Sequence, residues 1–128
     1  MVPEEALQHI LVVEDDPNTA EMLTAYFTSL GYQVTQTAWG QDALVLAGQL
    51  KFDLVVLDIH LPDIDGYEVC SRLRAQRRTM NLPIIFLTER HERRDRLTGL
   101  ELGAVEYLTK PFDVQDVRYR VRNILHPS

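Results

Sequence analysis

The sequence predicts an α/β domain in which a five-stranded parallel sheet is covered by helices on both faces. Three observations lead there. Short apolar runs rich in Val, Ile and Leu alternate with stretches of helical periodicity, the connections between them are short, and two of the runs end directly in aspartates. Such runs read as strands buried on both faces, as a sheet between two helix layers requires. Each crossover must be right-handed and pack back on the sheet, so alternation leaves few other arrangements.

Ile10-Leu11-Val12-Val13-Glu14 is the first strand and runs into Asp15-Asp16-Pro17-Asn18. Pro17 suits the first turn of a helix, where its missing N–H costs nothing, and Ala20, Leu23, Phe27 and Leu30 then recur at helical spacing until Gly31. Gln33-Val34-Thr35-Gln36-Thr37-Ala38 has strand composition, and Gly40 to about Leu50 reads as a helix through Ala43, Leu44 and Ala47. Leu54-Val55-Val56-Leu57-Asp58 is the most central strand, with a carboxylate at its end. The Pro, Asp and Gly of Leu61-Pro62-Asp63-Ile64-Asp65-Gly66 mark a loop leading to a third helix over about Tyr67–Ala75. Pro83-Ile84-Ile85-Phe86-Leu87-Thr88 is a fourth strand, with Pro at its first residue where no ladder bond is lost. A polar helix over about Arg93–Leu102 ends at Gly103, the fifth strand is Glu106-Tyr107-Leu108-Thr109, and Lys110-Pro111-Phe112 turns the chain. Val114, Val117, Val121 and Ile124 place one apolar stripe on the last helix.

At 128 residues and 45% hydrophobic composition the chain suits one well-buried core. One domain over residues 8–125 is expected, with residues 1–7 and 126–128 loosely held at its ends. Cys70 stands alone, so no intramolecular disulfide forms. Met1-Val2-Pro3-Glu4-Glu5 lacks the order of a signal peptide, and no apolar run reaches membrane-spanning length. The expectation is a cytoplasmic protein with no membrane partner. The net charge of −6 combines −11 over residues 1–71, whose lone cation is Lys51, with +5 over residues 72–128. The arginines of the basic half lie among acids on expected helices, as in Glu92-Arg93-Arg94-Asp95-Arg96, a pattern of solvated faces rather than of nucleic-acid contact.

Ligands of open parallel sheets collect beyond the carboxyl ends of the strands, where strand order reverses. The ends of the first, third, fourth and fifth strands deliver Asp15-Asp16, Asp58, Thr88 and Lys110 to that edge. Three converging carboxylates repel unless a cation sits among them or one takes up a proton. All-oxygen ligands of this charge suit Mg²⁺, a hard ion that keeps waters and is usually shared with a phosphate. Lys110 adds a positive charge on a flexible stem and Thr88 a hydroxyl donor, so the cluster points to phosphoryl chemistry with Asp58 as candidate nucleophile. Singly, each has a plainer role: Asp15 or Asp16 as a helix cap, Asp58 as a turn former, Thr88 as a strand residue, Lys110 as a solvated charge. Their joint arrival at four strand ends carries the reading.

Over about residues 8–125 the chain resembles the receiver domains of two-component response regulators. The resemblance rests on Val13-Glu14-Asp15-Asp16-Pro17, on Leu57-Asp58-Ile59-His60-Leu61-Pro62-Asp63-Ile64-Asp65-Gly66, on Thr88, and on Gly103-Ala104-Val105-Glu106-Tyr107-Leu108-Thr109-Lys110-Pro111-Phe112. It implies a flavodoxin-like (CheY-like) doubly wound sheet of strand order 2-1-3-4-5 with five helices. It further implies that Asp58 accepts a phosphoryl group from a phosphohistidine on a sensor histidine kinase or phosphotransfer protein. Asp16 and Asp58 would bind Mg²⁺ directly, Asp15 chiefly through water, and the backbone carbonyl of His60 would complete the protein ligands. Thr88 and Lys110 would hold phosphoryl oxygens, and the Lys110-Pro111 peptide would be cis. On phosphorylation Thr88 would move toward the new charge and Tyr107 would turn inward, altering the surface of the fourth helix, fifth strand and fifth helix for an effector protein, an output domain or a second copy. The likeness is strongest to receivers that feed winged-helix transcription factors, whose homodimers use salt bridges on that surface. Glu101, Glu106, Arg118, Arg120 and Arg122 are the candidates, or else ordinary surface charges. Such a domain catalyses its own phosphorylation and dephosphorylation and is no enzyme toward an external substrate.

Two positions depart from the family pattern. Glu89 follows Thr88 where a small residue is usual, and either repels the incoming phosphoryl group or points outward to Arg90 or Arg93. His60, beside the acceptor, is a candidate modulator of hydrolysis, as are Glu89 and Arg90. Val105 replaces an acid common among the transcription-factor receivers and weakens the dimer expectation. Among rival readings, a Mg²⁺-dependent phosphohydrolase needs a second Asp two residues after the first, where His60 stands. A nucleotide or flavin site needs glycines and amides where this chain has acids. A receiver-like interaction module that acts without phosphorylation is the remaining alternative.

Overall fold

The computed structural model describes residues 7–89, 101, 103 and 106–127. Five strands, β1 (His9–Val13), β2 (Gln33–Thr37), β3 (Leu54–Asp58), β4 (Ile84–Thr88) and β5 (Glu106–Thr109), form one parallel sheet in the order β2-β1-β3-β4-β5. The helices among the described residues are α1 (Pro17–Ser29), α2 (Gly40–Gln49), α3 (Gly66–Arg74) and α4 (Val114–Leu125). Apart from Glu101 and Gly103, the helix expected near 93–102 and its terminus lie outside the described residues, as do Arg90, Ala104 and Val105. The α4 helix is therefore the fifth of the sequence-based count.

Period-two alternation divides the central strands between two cores. Leu11, Val13, Val55, Leu57, Ile84 and Phe86 meet Ala43 and Ala47 of α2 and Val69, Cys70 and Leu73 of α3. Ile10, Val12, Leu54, Val56, Ile85 and Leu87 meet Leu23 and Phe27 of α1 and Val117, Val121 and Leu125 of α4. Every residue of β1, β3 and β4 is buried, whereas β2 and β5, at the sheet edges, are partly open. Helices of this length are marginal alone, so burial of their apolar faces holds them in place. On α4 the inward row is Val117, Val121 and Leu125. Val114, expected in the stripe, is the first residue of the helix and is 41% exposed, with its carbonyl accepting from Tyr26 Oη at 3.0 Å.

Helix starts are set by acids. Asp16 caps α1, Asp65 caps α3 through Glu68 N at 2.8 Å, and Asp113 caps α4 through Gln115 N at 2.8 Å. At α2 the capping position holds Trp39, whose side chain makes no such bond. Asp63, from the loop after β3, serves instead, accepting from Gly40 N and Gln41 N at 2.8 Å each. Burial raises the Asp63 carboxyl pKa, but the amides of Gln41 and Gly40 outweigh it and hold the group below its ordinary value. Gly66 is packed so closely on the Asp58 carbonyl and Ile59 that a Cβ has no room there. Arg74 ties α3 to the chain beyond it, donating to Leu82 O at 2.8 Å and Gly103 O at 3.0 Å.

At the opposite end of the sheet, His9 is buried with its ring 4.4 Å from that of Phe52, its Nε2 2.6 Å from Thr35 Oγ1 and its amide on Asp53 Oδ2 at 2.8 Å. Burial lowers its pKa below the ordinary 6.5, against the opposing charge of Asp53. The unfolded chain then binds a proton that the folded chain resists. This contribution to stability is complete above about pH 6.5 and is lost as pH falls. The urea midpoint of the wild type is expected to drop more than that of His9→Gln between about pH 7.5 and about pH 5.5. Parallel curves would contradict the assignment.

Candidate functional site

The pairing of Val13 with Leu57 in the β1–β3 ladder sets the next residues, Glu14 and Asp58, level with each other. Alternation gives both to the face that α1 and α4 cover, and Glu14 N extends the strand by donating to Thr37 O at 3.0 Å. Glu14 is 2% exposed and Asp58 5%. Lys110, one residue past β5, is anchored by its N–H on Thr88 O at 2.7 Å. Its Nζ lies 3.4 Å from Asp58 Oδ2 and makes a direct ion pair with Glu14 Oε1. The Lys110-Pro111 peptide is cis, as expected.

Carboxylate oxygens of Glu14, Asp15 and Asp58 all lie within 4.8 Å of one another. One ammonium faces three acids, and Glu14 Oε2 is buried without a hydrogen-bond partner. Burial pushes the Glu14 carboxyl up to about 8, with Asp58 adding to the shift and Lys110 opposing it. Burial lowers the Lys110 pKa, but the hydrogen bond it donates to Glu14 and the charges of Asp58 and Glu14 together exceed it and leave the ammonium above its ordinary range. The donor set is all oxygen, negative in excess and partly unpaired, and it fits a hard divalent cation such as Mg²⁺.

Glu14 is the residue that reading the sequence missed. In the sequence it closes an apolar run, and the two aspartates after it carry the expectation of a site. The signal was available in the register, because aligning the ends of the β1 and β3 runs places Glu14, not Asp16, opposite Asp58. Asp16 lies outside the cluster, which corrects its expected direct place beside Asp58. It is exposed, and its carboxylate accepts from Thr19 Oγ1 at 2.6 Å and Asn18 N at 3.4 Å as the cap of α1. The hydroxyl of Thr19 holds its pKa down first among the causes.

Thr88 is buried at the end of β4, paired in register with Thr109. His60 is exposed, and its backbone N–H donates to Asp58 Oδ1 at 3.2 Å. Glu89 is exposed and lines, with Lys110, Pro111, Phe112, Thr19 and Met22, a cavity of about 580 Å³ beside the site. Its expected partners Arg90 and Arg93 lie outside the described residues. Tyr107 is buried, with its ring centroid 5.6 Å from that of Phe86 and its hydroxyl bonded to that of Tyr67. On the outer surface Arg120 pairs within the chain, with Glu106 and with Asp116 at 3.0 Å, while Glu101, Arg118 and Arg122 are exposed. No helix among the described residues is long and apolar enough to cross a membrane.

Residues 10–122 match the family described as response regulator receiver domain. The chain is 40% identical over 119 residues to the DNA-binding dual master transcriptional regulator RpaA of Synechocystis sp., covering 93% of this chain and 49% of that protein. It is 44% identical over 119 residues to the alkaline phosphatase synthesis transcriptional regulatory protein PhoP of Bacillus subtilis, with the same coverage of each. The chain thus spans about half the length of these curated relatives. Among solved structures it is similar to the receiver domain of sensor histidine kinase PA1611 from Pseudomonas aeruginosa, which holds a magnesium ion in its active site cleft. That match has a TM-score of 0.86 and 36% identity, and covers 94% of this chain and 98% of the other.

A Glu14 carboxyl raised from 4.5 to about 8 contributes stability that is present at low pH and lost as pH rises through about 8. Without added metal, the wild type is therefore expected to lose stability relative to Glu14→Gln from about pH 5 to about pH 9, read as the difference between their urea midpoints. A constant difference would place the proton elsewhere.

Proposed function

The chain belongs to the response regulator receiver domain family, and from that premise we propose that Asp58 is its phosphoacceptor in two-component signalling. One observation carries the reading: a buried carboxylate ends the central strand with a lysine ammonium 3.4 Å from one of its oxygens and two further acids within 4.8 Å. A carboxylate oxygen of Asp58 attacks the phosphorus of a phosphohistidine on a sensor kinase or phosphotransfer protein. The P–N bond breaks, the imidazole leaves with its electron pair, and an acyl phosphate remains on Asp58. Lys110 neutralises oxygens of the transferring group, and the Thr88 hydroxyl, at the neighbouring strand end, donates to them. Water later cleaves the acyl phosphate, with His60, Glu89 and Arg90 as modulators of that rate.

Asp15 and Asp58, with the His60 backbone carbonyl, would hold Mg²⁺, and Glu14 stands beside them as a buried acid paired to Lys110. When bound, Mg²⁺ offsets charge on the phosphoryl oxygens and brings them to the acceptor. Asp16, committed to α1, acts only at a distance.

The added charge at Asp58 draws Thr88 and alters the packing of Tyr107, so the outer face of β5 and α4 reports the phosphorylation state. That face would meet an effector protein, an output domain or a second copy. The relatives are transcriptional regulators about twice as long, which fits an output function carried outside this chain. The domain turns over no external substrate and works in the cytoplasm.

Incubation with Mg²⁺ and acetyl phosphate is expected to add one phosphoryl group to the wild type and none to Asp58→Asn, read by intact-mass spectrometry. No addition from acetyl phosphate or from a panel of phosphorylated histidine kinases would leave the phosphorylation-independent interaction module as the better account.

A further inference from the structure

The loop between β3 and α3 carries the His60 carbonyl, and its hold on the rest of the fold is uneven. At its base Ile59 N donates to Leu87 O at 3.2 Å, Gly66 N donates to Ile59 O at 2.8 Å, and Gly66 lies against the Asp58 carbonyl. Between these points His60 N donates to Asp58 Oδ1 at 3.2 Å, and Asp63 reaches across to another element, accepting from Gly40 N and Gln41 N at 2.8 Å each. Leu61 and Ile64 pack half-buried on the α2–α3 core, and Gly40 sits so close under Ile64 that a Cβ would clash. Asp65 is committed to capping α3. The loop tip is therefore clamped to α2 by one side chain, and α2 has no cap of its own.

We propose that Asp63 is a positioning residue for the phosphoryl and Mg²⁺ site: its bidentate clamp on the first amides of α2 fixes the loop that holds the His60 carbonyl beside Asp58. The inference rests on the Mg²⁺ reading above. The clamp works because both partners need it. Two helix amides would otherwise lack acceptors, and the carboxylate sits at the positive end of the helix. A loop held at one geometry binds a cation without the entropy cost of ordering itself, and groups that orient metal ligands typically influence affinity by about 10- to 100-fold.

A merely structural cap would act through α2 stability alone, and Gly48 separates the two. It lies in α2 with open space where a Cβ would stand, so Gly48→Ala strengthens the helix without touching the loop. Isothermal titration of the full chain with MgCl₂ tests the proposal on wild type, Asp63→Ala, Asp63→Asn and the double variant Asp63→Ala/Gly48→Ala. Asp63→Ala is expected to bind about tenfold more weakly. Asp63→Asn, which keeps one acceptor, falls between it and the wild type, and the double variant recovers thermal stability but not affinity. Wild-type affinity in Asp63→Ala would overturn the proposal. Equal losses in Asp63→Asn and Asp63→Ala would assign the effect to charge, and recovery of affinity in the double variant would assign it to helix stability; either result also overturns it. No binding by the wild type itself would instead remove the Mg²⁺ reading on which the proposal stands.

Discussion

Two carboxylates stand level at the ends of adjacent buried strands, with one ammonium between them and solvent. Glu14 and Asp58 cannot both be ionised there without cost, and Lys110 compensates one charge while Asp15 adds another. Much of the fold serves to hold that arrangement. The β1, β3 and β4 strands are apolar on both faces, so a slip of one residue would bury a charge in one core and expose an aliphatic side chain from the other. The β5 strand delivers Lys110 from the far side of β4, anchored through Thr88 O. The site is thus a local excess of negative charge in a rigid frame, the condition under which a cation or a phosphoryl group with its metal is bound rather than repelled.

The acids at this edge of the sheet divide into two sets. Glu14, Asp15 and Asp58 converge, while Asp16, Asp63 and Asp65 are each committed to the first amides of a helix. The second set keeps negative charge near the site but satisfies it locally, so it fixes backbone rather than adding ligands. Asp63 does this across sequence, joining the loop after β3 to α2, and thereby makes the start of α2 part of the frame around Asp58.

The strands were legible because a parallel sheet between two helix layers leaves runs such as Leu54–Leu57 no polar positions until they end. Asp58, Thr88 and Lys110 followed from those ends. Glu14 was not legible from composition, since an acid closing an apolar run reads equally as strand or loop, and only register with β3 separates the two. Local sequence gives an Asp before Pro17 two readings, ligand or helix cap, and in the fold the Thr19 hydroxyl donates to Asp16 at the start of α1. Val114 fits the helical period yet lies at the first position of α4, before the helix reaches the sheet. The Asp63 clamp joins residues more than twenty positions apart, and no local pattern announces it.

In the proposed function the converging set, and not the capping set, makes the Mg²⁺ site. Thermal unfolding with and without saturating Mg²⁺ tests it most directly, because a ligand that binds only the folded chain raises its melting temperature. The wild type and Asp16→Asn are expected to be stabilised alike by Mg²⁺, while Asp15→Asn loses most of the increase. A full shift in Asp15→Asn together with none in Asp16→Asn would contradict the geometry on which the account rests.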